Sequence, residues 1–109
     1  MPESTTDLIQ GTLDLLILKS LSAEPMHGFG ISRRIEQVSR GVFRVNPGSL
    51  LLAFQRLERQ GLIDGEWRTS ENNRRARYYR LTRDGVKRLD EARRDWSRRT
   101  AAMARLLET

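Results

Sequence analysis

The chain has 109 residues, no cysteine, one histidine and a formal net charge of +6, with a pI near 10.9. That length holds one hydrophobic core and not two. The missing cysteine excludes disulfides, thiol catalysis and cysteine zinc sites, and suits a reducing cytoplasm.

The N-terminal residues 1–7 are polar and acidic, so no secretory signal is expected. A first helix is predicted over residues 8–22, from Leu13, Leu16, Ile17 and Leu21 at helical spacing, with Leu15 and Leu18 widening the stripe. Thr5, Thr6 or Asp7 can cap it. Its apolar run, residues 13–21, is broken by Asp14, Lys19 and Ser20 and falls far short of the roughly 20 apolar residues of a bilayer span. No membrane partner is expected. Glu24-Pro25 ends the connection that follows, because a residue before proline avoids the helical region.

A second helix opens at Met26-His27-Gly28-Phe29-Gly30 and is predicted to reach Arg40, with Ile31, Ile35 and Val38 on its apolar side and Gly41 as its stop. Residues 42–45 form a β-prone run too short to stand alone. The third helix has the clearest start in the chain. Asn46 is a strong N-cap, and Pro47 sits where its missing N–H costs nothing. Leu50, Phe54 and Leu57 share one face, and Gln60-Gly61 ends it. Two strand-like runs, residues 62–68 and 76–81, flank a polar loop with an Asn72-Asn73 turn, which describes a β-hairpin with a basic tip. Thr82 caps a last helix, predicted over residues 83–107, with Asp84 at its positive dipole end. Leu89, Trp96 and Met103 recur every seven residues, with Ala92 and Leu106 on the same side. Such a stripe packs lengthwise on another helix. It could lie on the first helix, but the first three helices already need one another's apolar faces, so these five residues are the expected dimer interface.

Catalytic chemistry finds little footing. His27 is the sole histidine, no Gly-x-Ser-x-Gly elbow presents a serine, and no histidine–carboxylate cluster has metal-ligand spacing. The ordinary reading of His27 is a helix-start residue bonded to backbone. Gly28-Phe29-Gly30 follows no strand and lacks the rest of a phosphate-loop fingerprint. No enzyme activity and no cofactor are expected.

Nucleic-acid chemistry has more. Eighteen of the 20 cations are arginine, whose planar fork matches phosphate. Residues 1–40 carry net −1, residues 41–85 carry +4 and residues 86–109 carry +3. Three helices followed by a hairpin is the winged helix-turn-helix order, in which the third helix enters the major groove and the hairpin, or wing, reaches the backbone or minor groove. The fold expected is therefore mainly α with a small β-hairpin: a winged domain over residues 1–82 and a dimerisation helix over residues 83–109. Asn46 at the helix start is placed to bind phosphate. Ser49, Gln55, Arg56 and Arg59 are the candidate groove readers: Gln55 can pair adenine, arginine can pair guanine, and Leu52 can meet a thymine methyl. Asn72, Asn73, Arg74, Arg75 and Arg77 are the candidate wing contacts. Each also has a plainer reading: Arg56 and Arg59 as solvated or paired with neighbouring acids, and the asparagines as a turn alone.

Five motifs in order carry a resemblance: Gln10-Gly11-Thr12-Leu13-Asp14-Leu15-Leu16-Ile17-Leu18, His27-Gly28-Phe29-Gly30-Ile31, Asn46-Pro47-Gly48-Ser49-Leu50, Arg56-Leu57-Glu58-Arg59-Gln60-Gly61-Leu62-Ile63, and Ser70-Glu71-Asn72-Asn73-Arg74-Arg75-Ala76-Arg77-Tyr78-Tyr79-Arg80-Leu81-Thr82. Together they closely resemble the PadR family of bacterial transcriptional regulators, in the subgroup with one C-terminal helix. The resemblance implies a homodimeric, sequence-specific repressor acting on double-stranded DNA. It also implies relief by a small aromatic effector near the dimer interface, with Trp96 as the candidate pocket residue, although plain dimer core is the simpler role for that ring. Two positions depart from the family pattern. Leu51-Leu52 stands where the family usually has Tyr-Pro, and Phe29 stands where it usually has tyrosine; each loses a hydroxyl that could bond phosphate. Two alternatives stay open: a winged-helix protein-interaction module with weakened DNA binding, favoured by Leu51 and Leu52, and a basic RNA-associated protein.

Overall fold

The computed structural model describes residues 5–69 and 71–109, with side chains from residue 11 onward. Helix α1 (Thr5–Ala23) buries Ile17, Leu18 and Leu21 and ends just before Glu24-Pro25. Its expected caps, Thr5, Thr6 and Asp7, have side chains outside the described set.

A two-residue strand, β1 (Met26–His27), precedes α2 (Gly28–Val38). It was not expected, because two residues are too short to show an alternation. His27 is the N-cap of α2, its Nδ1 accepting the Gly30 N–H at 3.0 Å. The helix buries Ile31 and Ile35 but leaves Val38 exposed, and it stops two residues before the expected end. Arg40 and Gly41 turn the chain with φ of 54° and 80°. Residues 42–45 form no strand; Val45 packs against the core while Val42 faces outward.

Helix α3 (Pro47–Arg59) is capped as its sequence dictates: Asn46 Oδ1 accepts the N–H of Gly48 at 2.7 Å and of Ser49 at 3.4 Å. Leu50, Ala53, Phe54 and Leu57 are buried on its inner face. Strands β2 (Ile63–Thr69) and β3 (Arg75–Leu81) pair antiparallel from Ile63↔Leu81 to Thr69↔Arg75. β1 adds to the other edge of β3, giving the order β1-β3-β2. Asn73, at φ 59°, supplies the left-handed residue of the hairpin turn.

Helix α4 (Arg83–Glu108) starts at Thr82, whose Oγ1 accepts the Gly85 N–H at 3.0 Å and donates to the Gly61 carbonyl at 2.7 Å. Gly85 is required there, because a Cβ would lie 2.0 Å from the Leu62 carbonyl oxygen. The close approach brings Leu89 into the same core as α1, α2 and α3, at 5% exposure. This corrects the expectation for Leu89: it is core of the chain itself, so it has no free surface for a second copy. No α4 residue beyond Leu89 is buried, and the chain measures 55 × 28 × 25 Å. The fold is a winged helix with one long C-terminal helix, and no helix among the described residues is long and apolar enough to cross a membrane.

Candidate nucleic-acid interface

The outer surface of α3 carries Ser49, Leu52, Gln55 and Arg59, all exposed, because the 3.6-residue period that buries Leu50, Phe54 and Leu57 turns these positions outward. Asn46 uses its side chain on two backbone N–H groups of the first turn, so it holds the helix start in shape and is only half available to a ligand.

Arg56 behaves differently from its neighbours. It reaches back to α1, pairing with Asp14, and its Nε is buried with no hydrogen-bond partner among the described residues. Burial pushes the Asp14 carboxyl above the usual carboxylate range, although the Arg56 guanidinium beside it pulls the other way. Arg56 is thus a brace between α1 and α3 before it is a groove reader. Glu58, the acid next to Arg59 in the chain, faces the wing.

On the wing, Arg77 pairs with Glu58: Nε and Nη2 donate to the two carboxylate oxygens at 3.3 and 2.8 Å. It too was expected to face DNA freely and instead ties β3 to α3. Arg59 and Arg74 make no ion pair with a described residue, and Arg75 lies 5.3 Å over the Trp67 ring. Asn72 and Asn73 are exposed at the tip. Of the wing and α3 arginines, then, Arg59, Arg74 and Arg75 have guanidinium groups uncommitted to a carboxylate.

Trp67 was missed at the level of sequence and stands out here. On an antiparallel sheet, Trp67, Arg77 and Arg75 share one face, and the ring is 57% exposed between the two guanidiniums, at 5.3 and 5.7 Å. The available signal was a tryptophan in one strand-like run with arginines in the next, but strand periodicity alone does not tell an exposed ring from a core one.

Three of the C-terminal cations pair with carboxylates of the same helix. Asp95 pairs with Arg98 and Arg99, and Glu91 pairs with Arg88. Along the same helix Trp96, Met103 and Leu106 are exposed, with Ala92 half-buried beside them.

Comparison with known proteins agrees with this geometry. Residues 17–91 match the transcriptional regulator PadR-like family. A protein of Lysinibacillus sphaericus described as "uncharacterized protein X" is 29% identical over 92 residues, covering 84% of each chain. A 37.1 kDa protein in a transposon of Streptomyces fradiae is 38% identical over 92 residues; the match covers 84% of this chain but only 23% of that one. Among solved structures, a transcriptional regulator from Clostridium thermocellum superposes with a TM-score of 0.82 at 28% identity, over 91% of this chain and 96% of that one. A PadR family regulator from Eggerthella lenta gives 0.78 at 30% identity, over 95% and 88%. One from Clostridium difficile gives 0.76 at 27%, over 87% and 97%. With a family match across most of its length and a winged fold shared with these regulators, the chain belongs to the PadR-like family of transcriptional regulators.

Proposed function

We propose that the chain is a cytoplasmic homodimeric repressor without enzymatic activity. It inserts α3 into the major groove of a palindromic operator and rests the wing on the flanking backbone. The observation that carries this reading is that Arg59 on α3 and Arg74 and Arg75 on the wing keep guanidiniums free of carboxylates on the two elements that a winged helix presents to DNA. Like charges crowded at a hairpin tip repel one another, and a phosphate backbone relieves that repulsion. Ser49, Leu52 and Gln55 supply base contacts. A second copy covers Trp96, Met103 and Leu106, and twofold symmetry sets two α3 helices roughly 34 Å apart, one DNA turn. A small aromatic effector at Trp96 relieves repression by favouring a dimer with another spacing.

The test is a titration of duplex DNA from upstream of the chain's own reading frame at two salt concentrations, with single-stranded RNA as competitor. Saturable binding that weakens steeply with salt and resists RNA supports the reading. Binding that neither occurs nor depends on salt favours a protein-interaction module.

A further inference from the structure

A cleft of about 450 Å³ opens between the start of α2, the first turns of α3 and strand β3. Its back wall is the Phe54–Tyr79 ring pair, with centroids 4.4 Å apart. Leu50 and Leu51 form one side and Phe29 the rim. Phe29 is 69% exposed and Leu51 53% exposed. Solvated apolar side chains scattered singly need no explanation, but here two of them converge on one concavity with aromatic walls. The volume falls within the range of drug-sized ligand sites, which are mostly apolar with a few orienting polar groups. In a protein of net charge +6, the charged residue lining this cleft, Arg77, has its guanidinium engaged by both oxygens of Glu58. The cleft therefore presents no uncompensated charge. A phosphate or carboxylate gains little there, and an uncharged molecule loses little.

We propose that this cleft binds an uncharged, flat aromatic molecule, and that occupancy and DNA binding exclude one another. The walls explain the second half: Leu51 belongs to the helix that enters the groove and Arg77 to the wing that flanks it, so an occupant stands where the duplex would pass. The site shares no lining residue with α4, so it is separate from Trp96. Occupancy of the cleft is independent of the DNA reading, whereas the exclusion rests on it.

The experiment uses the full chain and the uncharged dye N-phenyl-1-naphthylamine. Saturable fluorescence enhancement is expected without DNA. It should weaken at least tenfold in the Phe29→Ser/Leu51→Ser double variant, whose changes are at exposed positions, and persist in Trp96→Ala. Unchanged dye affinity in the double variant, or its loss in Trp96→Ala, overturns the site. Adding dye to the protein–duplex complex should release DNA; a complex that survives saturating dye overturns the exclusion. If no complex forms without dye, the DNA reading fails while the dye titration still decides the cleft.

Discussion

Arg77 grips both carboxylate oxygens of Glu58, and it does so across a residue that has no side chain. A Cβ on Gly65 would lie 2.6 Å from Arg77 Nε, so the guanidinium passes through the space that glycine leaves. This pair ties the wing to α3, and because both ends are half-buried and the geometry is bidentate it constrains direction as well as distance. Gly65→Ala should push Arg77 aside and release the wing while sparing the fold, because only a flexible side chain must move. Half-buried pairs of this kind contribute about 1 kcal/mol. A double-mutant cycle of Glu58→Gln with Arg77→Gln should return a coupling of that order in urea melts. Gly65→Ala should lower DNA affinity with a melting temperature only a few degrees lower; unchanged affinity would show that the wing angle is set elsewhere.

The free and the committed arginines should separate in salt titrations. Each phosphate contact contributes close to one unit of slope in log K against log salt. Arg74→Gln and Arg75→Gln should each lower the slope by about one and weaken binding to all sequences alike. Arg75→Gln should also unstack Trp67, so Trp67 emission measured in a Trp96→Phe background should shift with that substitution and with DNA. Equal slopes for all wing variants would remove the wing from the footprint.

Asp14 holds Arg56 away from the groove at a cost that pH reveals. Its folded-state carboxyl binds a proton more tightly than in the unfolded chain, because burial outweighs the pull of Arg56. The contribution of this group to stability is therefore complete below the unfolded value and is lost as pH rises through the folded one. At pH 7, Asp14→Asn should be at least as stable as the wild type, and any advantage should close on acidification. A loosened Arg56 should also add about one to the salt slope. A large loss of stability at pH 7 would show that the ion pair outweighs its desolvation.

Much of this was legible in the residues. Asn46-Pro47 announced α3, Thr82 and Asp84 announced α4, and both helices begin where those caps put them. His27 as a helix-start residue bonded to backbone was readable because a lone histidine beside glycines has few other uses. What could not be read is partner choice between distant segments. Nothing local says that Arg56 turns to Asp14 42 positions away, or that Glu58 prefers Arg77 on the wing to Arg59 beside it. β1 was invisible for a related reason: two residues become a strand only because Tyr78 and Tyr79 leave an open edge for them.

The seven-residue stripe of α4 divides in two, and substitutions should expose the division. Leu89 lies in the core with α1, so Leu89→Ala should cost about 2–5 kcal/mol in a thermal or urea melt at any protein concentration. Trp96, Met103 and Leu106 are exposed, and a charge there meets only water in a single chain. Met103→Glu should leave the fold of one copy intact, judged by helical circular dichroism, but shift sedimentation from dimer to monomer. DNA binding should then fall more than a single half-site contact can explain, because two linked wings hold a palindrome far better than one. Should Met103→Glu sediment like the wild type, the second copy must sit on another face of the chain.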